Sequence, residues 1–395
     1  MGFVTLGGQR PAIGTDYLAK RRNRFDCCPI ARVASSPARQ SCMTYTAEDV
    51  RCSSQGWCSI NLGDRSRRRP QVIDSDFSLQ GWPGTGTSDD PYVISRQTIV
   101  SSGICIDIRD TISYFAIADC GFSSTVDGAG VGIGLVSVTD GLVGSVRVNR
   151  KYTVILLSEC VAWTMLGAEI SVCNQGVFLE KCHSCTVSES VIHDVSNQAM
   201  HCYECDRTAL SSLRPTRNDD AISLHWCVGC MIQNCIMRDY LDTGAYLYFT
   251  MNCTMLNRSV FNTYNMGAYV HGSSNWMIAN CTISAGRYHG LYVERCFRML
   301  IVNGTISQHR WSGIYLRESD NCSVLDNTIE HHNRAGFFFS MDSDNNTAID
   351  NVLWLDLETN GWDDGHDDRW DDGVSRGNTW GDYNGSGSYT IPGSA

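Results

Sequence analysis

The 395 residues contain no run of 18 or more apolar residues, so no stretch is long enough to cross a bilayer as a helix. Proline is scarce, at 8, and charged residues are 18% against 43% hydrophobic, a balance that excludes a wholly disordered chain. Positive charge is in deficit, with 31 Lys+Arg against 42 Asp+Glu. The net of −11 argues against a nucleic-acid partner, whose phosphates require a dense basic face. The opening residues also lack the apolar core of a secretory signal, roughly 7–15 residues long.

What charge there is falls unevenly. Residues 1–70 hold 12 Lys+Arg and 5 Asp+Glu, including the run Arg67-Arg68-Arg69, whereas residues 71–395 carry a net of −18. With no apolar pattern of either period, the first 70 residues are expected to be a basic, poorly ordered leader, or one added by a misplaced start. Cysteine is plentiful: 20 residues, high for a reduced cytosolic protein yet below the density of a small disulfide scaffold.

An internal repeat organises the remainder. Segments opening at Gly176, Ala199, Ala221, Gly244, Gly267, Gly290, Gly313 and Gly336 follow one another at 23, 22, 23, 23, 23, 23 and 23 residues. Each begins with an alternating stretch such as Gly313-Ile314-Tyr315-Leu316-Arg317, which reads as a strand. Further aliphatic points fall at the twelfth position (Val187, Ile232, Ile278, Ile301) and the seventeenth (Ile192, Val260, Ile283, Ile306). Three strand-like points per unit describe a triangular coil, and a single coil buries too little to offset its ordering entropy, so coils must stack. The expected fold is all-β, a right-handed parallel β-helix of about ten coils of ~23 residues. Residues 131–153 fit the frame poorly. At the fourteenth position Asn234, Asn257, Asn280, Asn303 and Asp326 form a column suited to a left-handed corner and an amide ladder. Read as inward-facing, that column leaves no room for glycans at its Asn-x-Ser/Thr triplets.

The units, the opening Gly81-Trp82-Pro83-Gly84-Thr85-Gly86-Thr87 and the closing Gly377-Asn378-Thr379-Trp380-Gly381-Asp382-Tyr383 resemble the right-handed parallel β-helix repeat proteins. These are the pectate-lyase-like superfamily, and within it the NosD-like and carbohydrate-binding/sugar-hydrolase repeat families. The resemblance spans roughly residues 72–395 and implies an extracellular or cell-surface setting. Its members usually continue past the closing motif, so the end at Ala395 is expected to be a truncation. It divides the chain into a leader (1–70), an opening segment (71–102), the β-helix (103–359) and a Trp/Asp-rich cap (360–395). Activity is only weakly implied, because this scaffold hosts lyases, hydrolases, epimerases and non-catalytic binding proteins.

Within each first strand, positions two and four point inward, so three and five are expected to face solvent. Column three then reads Phe178, His201, Ser223, Tyr246, Tyr269, Tyr292, Tyr315 and Phe338, and column five includes His225, Tyr248, His271, Glu294 and Arg317. Aromatic faces stack on sugar rings and a linear array suits a linear polymer. Tyr246, Tyr248, Tyr269, Tyr292, Tyr315, His225 and Phe338 are therefore candidates for binding a polysaccharide or cell-surface glycan. Cross-strand packing would account for the same tyrosines without any ligand. Glu294, Arg317 and His271 are candidates for acid/base chemistry on a uronic acid polymer, against a plainer reading as a surface ion pair. Asp219-Asp220 resembles the paired aspartates of polygalacturonase-type β-helices, although the Gly-His-Gly expected one coil on is replaced by Gly244-Ala-Tyr; a solvated turn is the plainer reading. The primary expectation is a non-catalytic carbohydrate-binding protein, the alternatives being a polysaccharide lyase or glycoside hydrolase on the same face, or a NosD-like copper-handling module.

Cys160, Cys182, Cys205 and Cys227 share column seven, and Cys185, Cys230, Cys253 and Cys322 share column ten. Stacked columns could pack as buried thiols, pair as disulfides, or hold a soft metal such as Cu(I). The acidic stretch with Asp363, Asp364, Asp367 and Asp368 could hold Ca²⁺, though no cofactor is required; as a cap, it would keep the last coil's exposed edge soluble.

Overall fold

The computed structural model describes residue 77, residues 81–383 and residues 388–393, with the backbone of three short strands at Val50–Cys52, Cys58–Ile60 and Gln71–Ile73. Apart from the first two of those strands, which pair antiparallel, the expected leader lies outside the described residues.

Three parallel sheets wrap one core. One sheet of 13 strands runs from Gln71–Ile73 to Thr359–Asp363, a second of 12 from Tyr92–Ser95 to Thr347–Ile349, and a third of 13 from Thr98–Val100 to Thr379–Trp380. A single coil contributes one strand to each, as in Leu291–Glu294, Leu300–Val302 and Thr305–Ser307. The register is one repeat long: Leu291 pairs with Ile314, Ile301 with Val324 and Ile306 with Ile329. Alternation explains the burial, since Leu291, Val293, Ile301 and Ile306 are all buried in the core. Four such side chains contribute roughly 1.5–3 kcal/mol each, less than the ordering cost of their coil, and stacking on both neighbours supplies the balance.

The parallel β-helix is as expected, but it has thirteen coils where about ten were legible. Coils off the 23-residue frame account for the difference. Ile106 pairs with Ile133, Phe337 with Gly361 and Leu353 with Trp380, so loop insertions shift the sequence period while the strand register continues. Residues 131–153 make a regular coil opened by the strand Val131–Val138. The opening segment already provides strands at Tyr92–Ser95 and Thr98–Val100, and the helix continues into the expected cap through Thr359–Asp363.

The asparagine column adopts the left-handed conformation, with φ of 52, 51, 54 and 53° at Asn234, Asn257, Asn280 and Asn303. Its amides form a ladder: Asn257 Nδ2 donates to Asn234 Oδ1 at 3.3 Å, and Asn280 Nδ2 to Asn257 Oδ1 at 3.2 Å. The inward placement is corrected, however, because all four are exposed. The inward corner is one residue later, where buried Asn327 accepts from the Gly304 N–H (2.8 Å) and buried Asn351 from the Asn327 N–H (3.0 Å). A left-handed residue at the bend turns its own side chain out and the next one in. The triplets therefore lie on an open edge.

Candidate functional site

The first sheet carries both candidate columns, and its register stacks them as expected: Tyr246, Tyr269, Tyr292, Tyr315 and Phe338 lie on consecutive strands, as do Tyr248, His271, Glu294 and Arg317. Their direction is outward, since none of the ladder rings belongs to the hydrophobic core. Their exposure to solvent, however, is corrected. Tyr246, Tyr269 and Tyr292 are only 6%, 3% and 8% accessible, while Tyr315 and Phe338 are half-buried. Rings at a one-coil spacing cover one another, with centroids 5.3 Å apart for Tyr246–Tyr269 and Tyr269–Tyr292, and 5.2 Å for Tyr292–Tyr315. His289 closes the side of the stack, 5.4 Å from Tyr292 and 4.9 Å from Tyr315. The faces expected to meet sugars are thus occupied by neighbouring rings, leaving edges and hydroxyls.

Glu294 is the electrostatic centre of this face. Its carboxylate is 4% exposed and accepts from the Tyr269 hydroxyl at 2.5 Å and from His271 Nδ1 at 3.1 Å on Oε2, and from Arg317 at 3.2 Å on Oε1. Burial opposes its charge, but the His271 and Tyr269 hydrogen bonds and the Arg317 guanidinium together hold it below the usual carboxylate range. Burial and the adjacent Glu294 charge push Tyr292 up to about 12 and Tyr269 well above its ordinary value. A surface ion pair is therefore not what the structure contains; Glu294 anchors a buried four-residue network. With both oxygens engaged and its charge stabilised, Glu294 is poorly disposed to move protons itself. His271 is better placed: with Nδ1–H directed at the carboxylate, the tautomer leaves the Nε2 lone pair facing away from it.

Asp219 and Asp220 lie elsewhere. Asp220 is fully buried at the start of the strand Asp220–His225, where Oδ1 accepts from the Thr243 N–H at 3.2 Å, so it is no solvated turn. Asp219 is half-buried. Three coils separate the pair from the strand of Glu294, roughly 14 Å at ~4.8 Å per coil. His225 packs within the stack, 5.4 Å from Tyr246, and is itself buried.

Two residues that the sequence reading did not single out lie beside this network. Trp226 and Phe249 stack at 4.4 Å and 14°. Phe249 meets His271 edge-on at 5.4 Å, and Tyr248 lies parallel to His271 at 5.0 Å. Trp226 is 50% exposed. Both occupy column six, the left-handed bend after the strand, with φ of 57° and 49°. In other coils that bend is Glu159, Lys181, Glu204, Gly272, Arg295 or Glu318. The sequence signal was available: two bulky aromatics in successive coils, in a column that is elsewhere mostly charged. Gly272, next in the column, makes room for them, since a Cβ there would collide with a Phe249 ring carbon.

Among the described residues, no group of three or more His, Cys, Asp or Glu side chains is arranged to hold a metal ion. Asp363 accepts from the Gly365 N–H at 3.0 Å and the Trp370 indole at 2.9 Å, which ties the acidic segment to the end of the helix. Asp364 and Asp368 are half-buried, with Asp368 accepting from the Asn346 N–H at 2.6 Å, and Asp367 is exposed in a left-handed turn. All fifteen described cysteines are free and buried, and most donate to backbone carbonyls, as Cys227 does to Cys202 at 3.5 Å. These thiols do not fit a copper site.

Residues 194–385 match the family described as periplasmic copper-binding protein (NosD). No curated protein matches the chain. Among solved structures, the periplasmic alginate epimerase AlgG superposes with a TM-score of 0.57 at 11% identity, over 71% of this chain and 84% of that one. Its T265N mutant gives 0.55 at 10%, over 83% and 98%. A tailspike protein double mutant of E. coli bacteriophage HK620 gives 0.51 at 11%, over 72% and 60%. At such identities the likeness establishes the fold alone, a parallel β-helix.

Proposed function

We propose that this protein binds a polysaccharide lengthwise along the outer face of its first sheet, in an extracytoplasmic compartment. The observation that carries this reading is Trp226: a half-exposed indole held in a left-handed bend and stacked on Phe249, beside Tyr248 and His271. A sugar ring can stack on the indole's free face while Arg317 and His271 supply polar contacts further along. Support for the setting comes from the NosD family and the AlgG epimerase, both described as periplasmic. No described helix is long and apolar enough to cross a membrane. AlgG, an alginate epimerase, and the phage tailspike share the scaffold.

A glycan array with the full chain tests the reading. Binding that falls roughly tenfold or more in Trp226→Ala, as expected for loss of one stacked sugar, supports it. Absence of binding to any glycan overturns it.

A second reading has one specific observation in its favour, the 3.1 Å contact between Glu294 and His271 Nδ1. In it Glu294 orients His271, whose Nε2 takes the C5 proton of a bound uronic acid while the C4–O bond breaks, the C4=C5 double bond forms and the leaving oxygen departs with its electron pair and is protonated by water; Arg317 faces the sugar carboxylate. Unsaturated products or new reducing ends, lost in His271→Asn, would establish this chemistry. Binding without product would leave a binding protein.

A further inference from the structure

The opposite edge of the same face, where each coil enters its first strand, has a different character. There one coil after another presents an arginine beside an aromatic ring. The Arg287 guanidinium lies 4.1 Å above the Tyr264 ring and that of Arg334 4.3 Å above Trp311. Tyr288 packs on Trp311 at 5.7 Å, and Arg310, in the coil between those of Arg287 and Arg334, is exposed. Arg334 has a long ion pair with Glu358, 3.8 Å, whereas neither Arg287 nor Arg310 has a carboxylate partner among the described residues. This wall is continuous with the tyrosine ladder through His289, which touches Trp311 (5.5 Å), Tyr292 and Tyr315.

Unneutralised arginines at successive coils are out of keeping with a chain of net charge −11. A structural role would predict acidic neighbours, as Arg295 and Arg317 have in Glu318 on the other edge. We infer that the polymer bound on this face is an anionic polysaccharide, whose carboxylate or sulfate groups pair with Arg287, Arg310 and Arg334 while its rings meet Trp311 and Tyr288. The inference rests on the polysaccharide reading above and supplies its chemical class. Guanidiniums are well suited to such a polymer, because they donate a bidentate fork to either anion and stack on rings without losing their donors. Repeating at ~4.8 Å per coil, they form a line of charge parallel to a polymer on the helix axis.

The test uses the full chain with three polymers, namely polygalacturonate, dextran sulfate and neutral laminarin. Binding to one or both charged polymers should weaken as salt rises and fall roughly tenfold in Arg287→Gln/Arg310→Gln, with an unchanged melting temperature because both side chains are exposed. Carboxylate and sulfate are distinguished by which charged polymer binds. Equal binding of laminarin, insensitive to salt and to the arginine double variant but lost in Trp226→Ala, would overturn this inference and leave the polysaccharide reading intact. Failure of all three polymers, together with an empty glycan array, would overturn both.

Discussion

At the scale of single residues, the outer face contains two kinds of aromatic with opposite energetics. Tyr269 is a structural member: its hydroxyl donates to a buried carboxylate at 2.5 Å, and its ring is covered by Tyr246 and Tyr292. Removing only that hydroxyl leaves a buried charge short of one donor, and hydrogen bonds to charged groups contribute about 1.5–3 kcal/mol. Tyr269→Phe should therefore lower unfolding free energy by about 2 kcal/mol in urea titrations; a loss below ~0.5 kcal/mol would show the network to be dispensable. Trp226 differs, since a bulky side chain at φ 57° costs about 1–2 kcal/mol, of the same order as its stacking on Phe249. In Trp226→Asn the two effects offset, because Asn tolerates the left-handed region. Stability should change by less than about 1 kcal/mol while polysaccharide binding is lost. A large drop in melting temperature would instead make Trp226 a packing residue.

At the scale of the coil, the thiol columns show what periodicity can and cannot disclose. The repeat placed Cys160, Cys182, Cys205 and Cys227 in one column and Cys230 above Cys253 in another, but column membership alone does not reveal which way a side chain turns at a bend. The structure turns them in. Burial pushes Cys120 and Cys173 up to about 11 and Cys296 and Cys322 up to about 12, so they are protonated and inert at neutral pH. Hydrogen bonds from neighbouring thiols pull Cys160, Cys205 and Cys230 down instead, and burial is what keeps reagent from them; iodoacetamide followed by peptide mass spectrometry should leave all fifteen described cysteines unmodified in the native protein and alkylate them in guanidinium. Native labelling of Cys205 or Cys227, or a two-hydrogen mass deficit across that pair, would contradict a free, buried ladder. The same limit explains the other departures. Alternation gave the strands, their register and the outward columns directly. It could not show that rings one coil apart occlude each other, that Glu294 would be sealed by Tyr269, or that the Asn column faces out. Those follow from the ~4.8 Å coil spacing and from left-handed bends, which a periodic pattern does not encode. Trp226, Phe249 and the arginine wall lie in the bends between strands, where alternation carries no signal.

For the molecule as a whole, stability is distributed along a rod, and so is its dependence on pH. Burial pulls His201 and His309 down to about 4 and His289 and His332 down to about 3. His309 and His332 are stacked in the interior, each with one nitrogen accepting a backbone N–H and the other facing a backbone carbonyl at 3.1 Å, an arrangement that requires the neutral ring. Unfolded, these histidines take up protons near their ordinary value of 6.5; folded, they do not. Stability therefore falls as pH drops below about 6.5, by up to about 1.4 kcal/mol per unit for each histidine until its folded value is reached. Asp356 has the opposite sign. Burial raises it to about 8, so the folded state holds a proton that the unfolded chain releases above 3.8, and its contribution is lost as pH rises toward 8. Burial raises Asp368 to about 8 as well, so between 4 and 6.5 four histidines outweigh two aspartates, whereas above 6.5 Asp356 and Asp368 still titrate. The melting temperature should pass through a maximum between about pH 6 and 7, and Asp356→Asn should roughly halve the alkaline slope, leaving the part due to Asp368, without changing the acid side. Because each coil contacts only its neighbours, loss should begin where these groups cluster. Hydrogen exchange at pH 5 should thus open the coils around His309 and His332 before those around Ile155 and Val177. A melting temperature that keeps rising to pH 8.5, or exchange that starts at the N-terminal coils, would contradict this account.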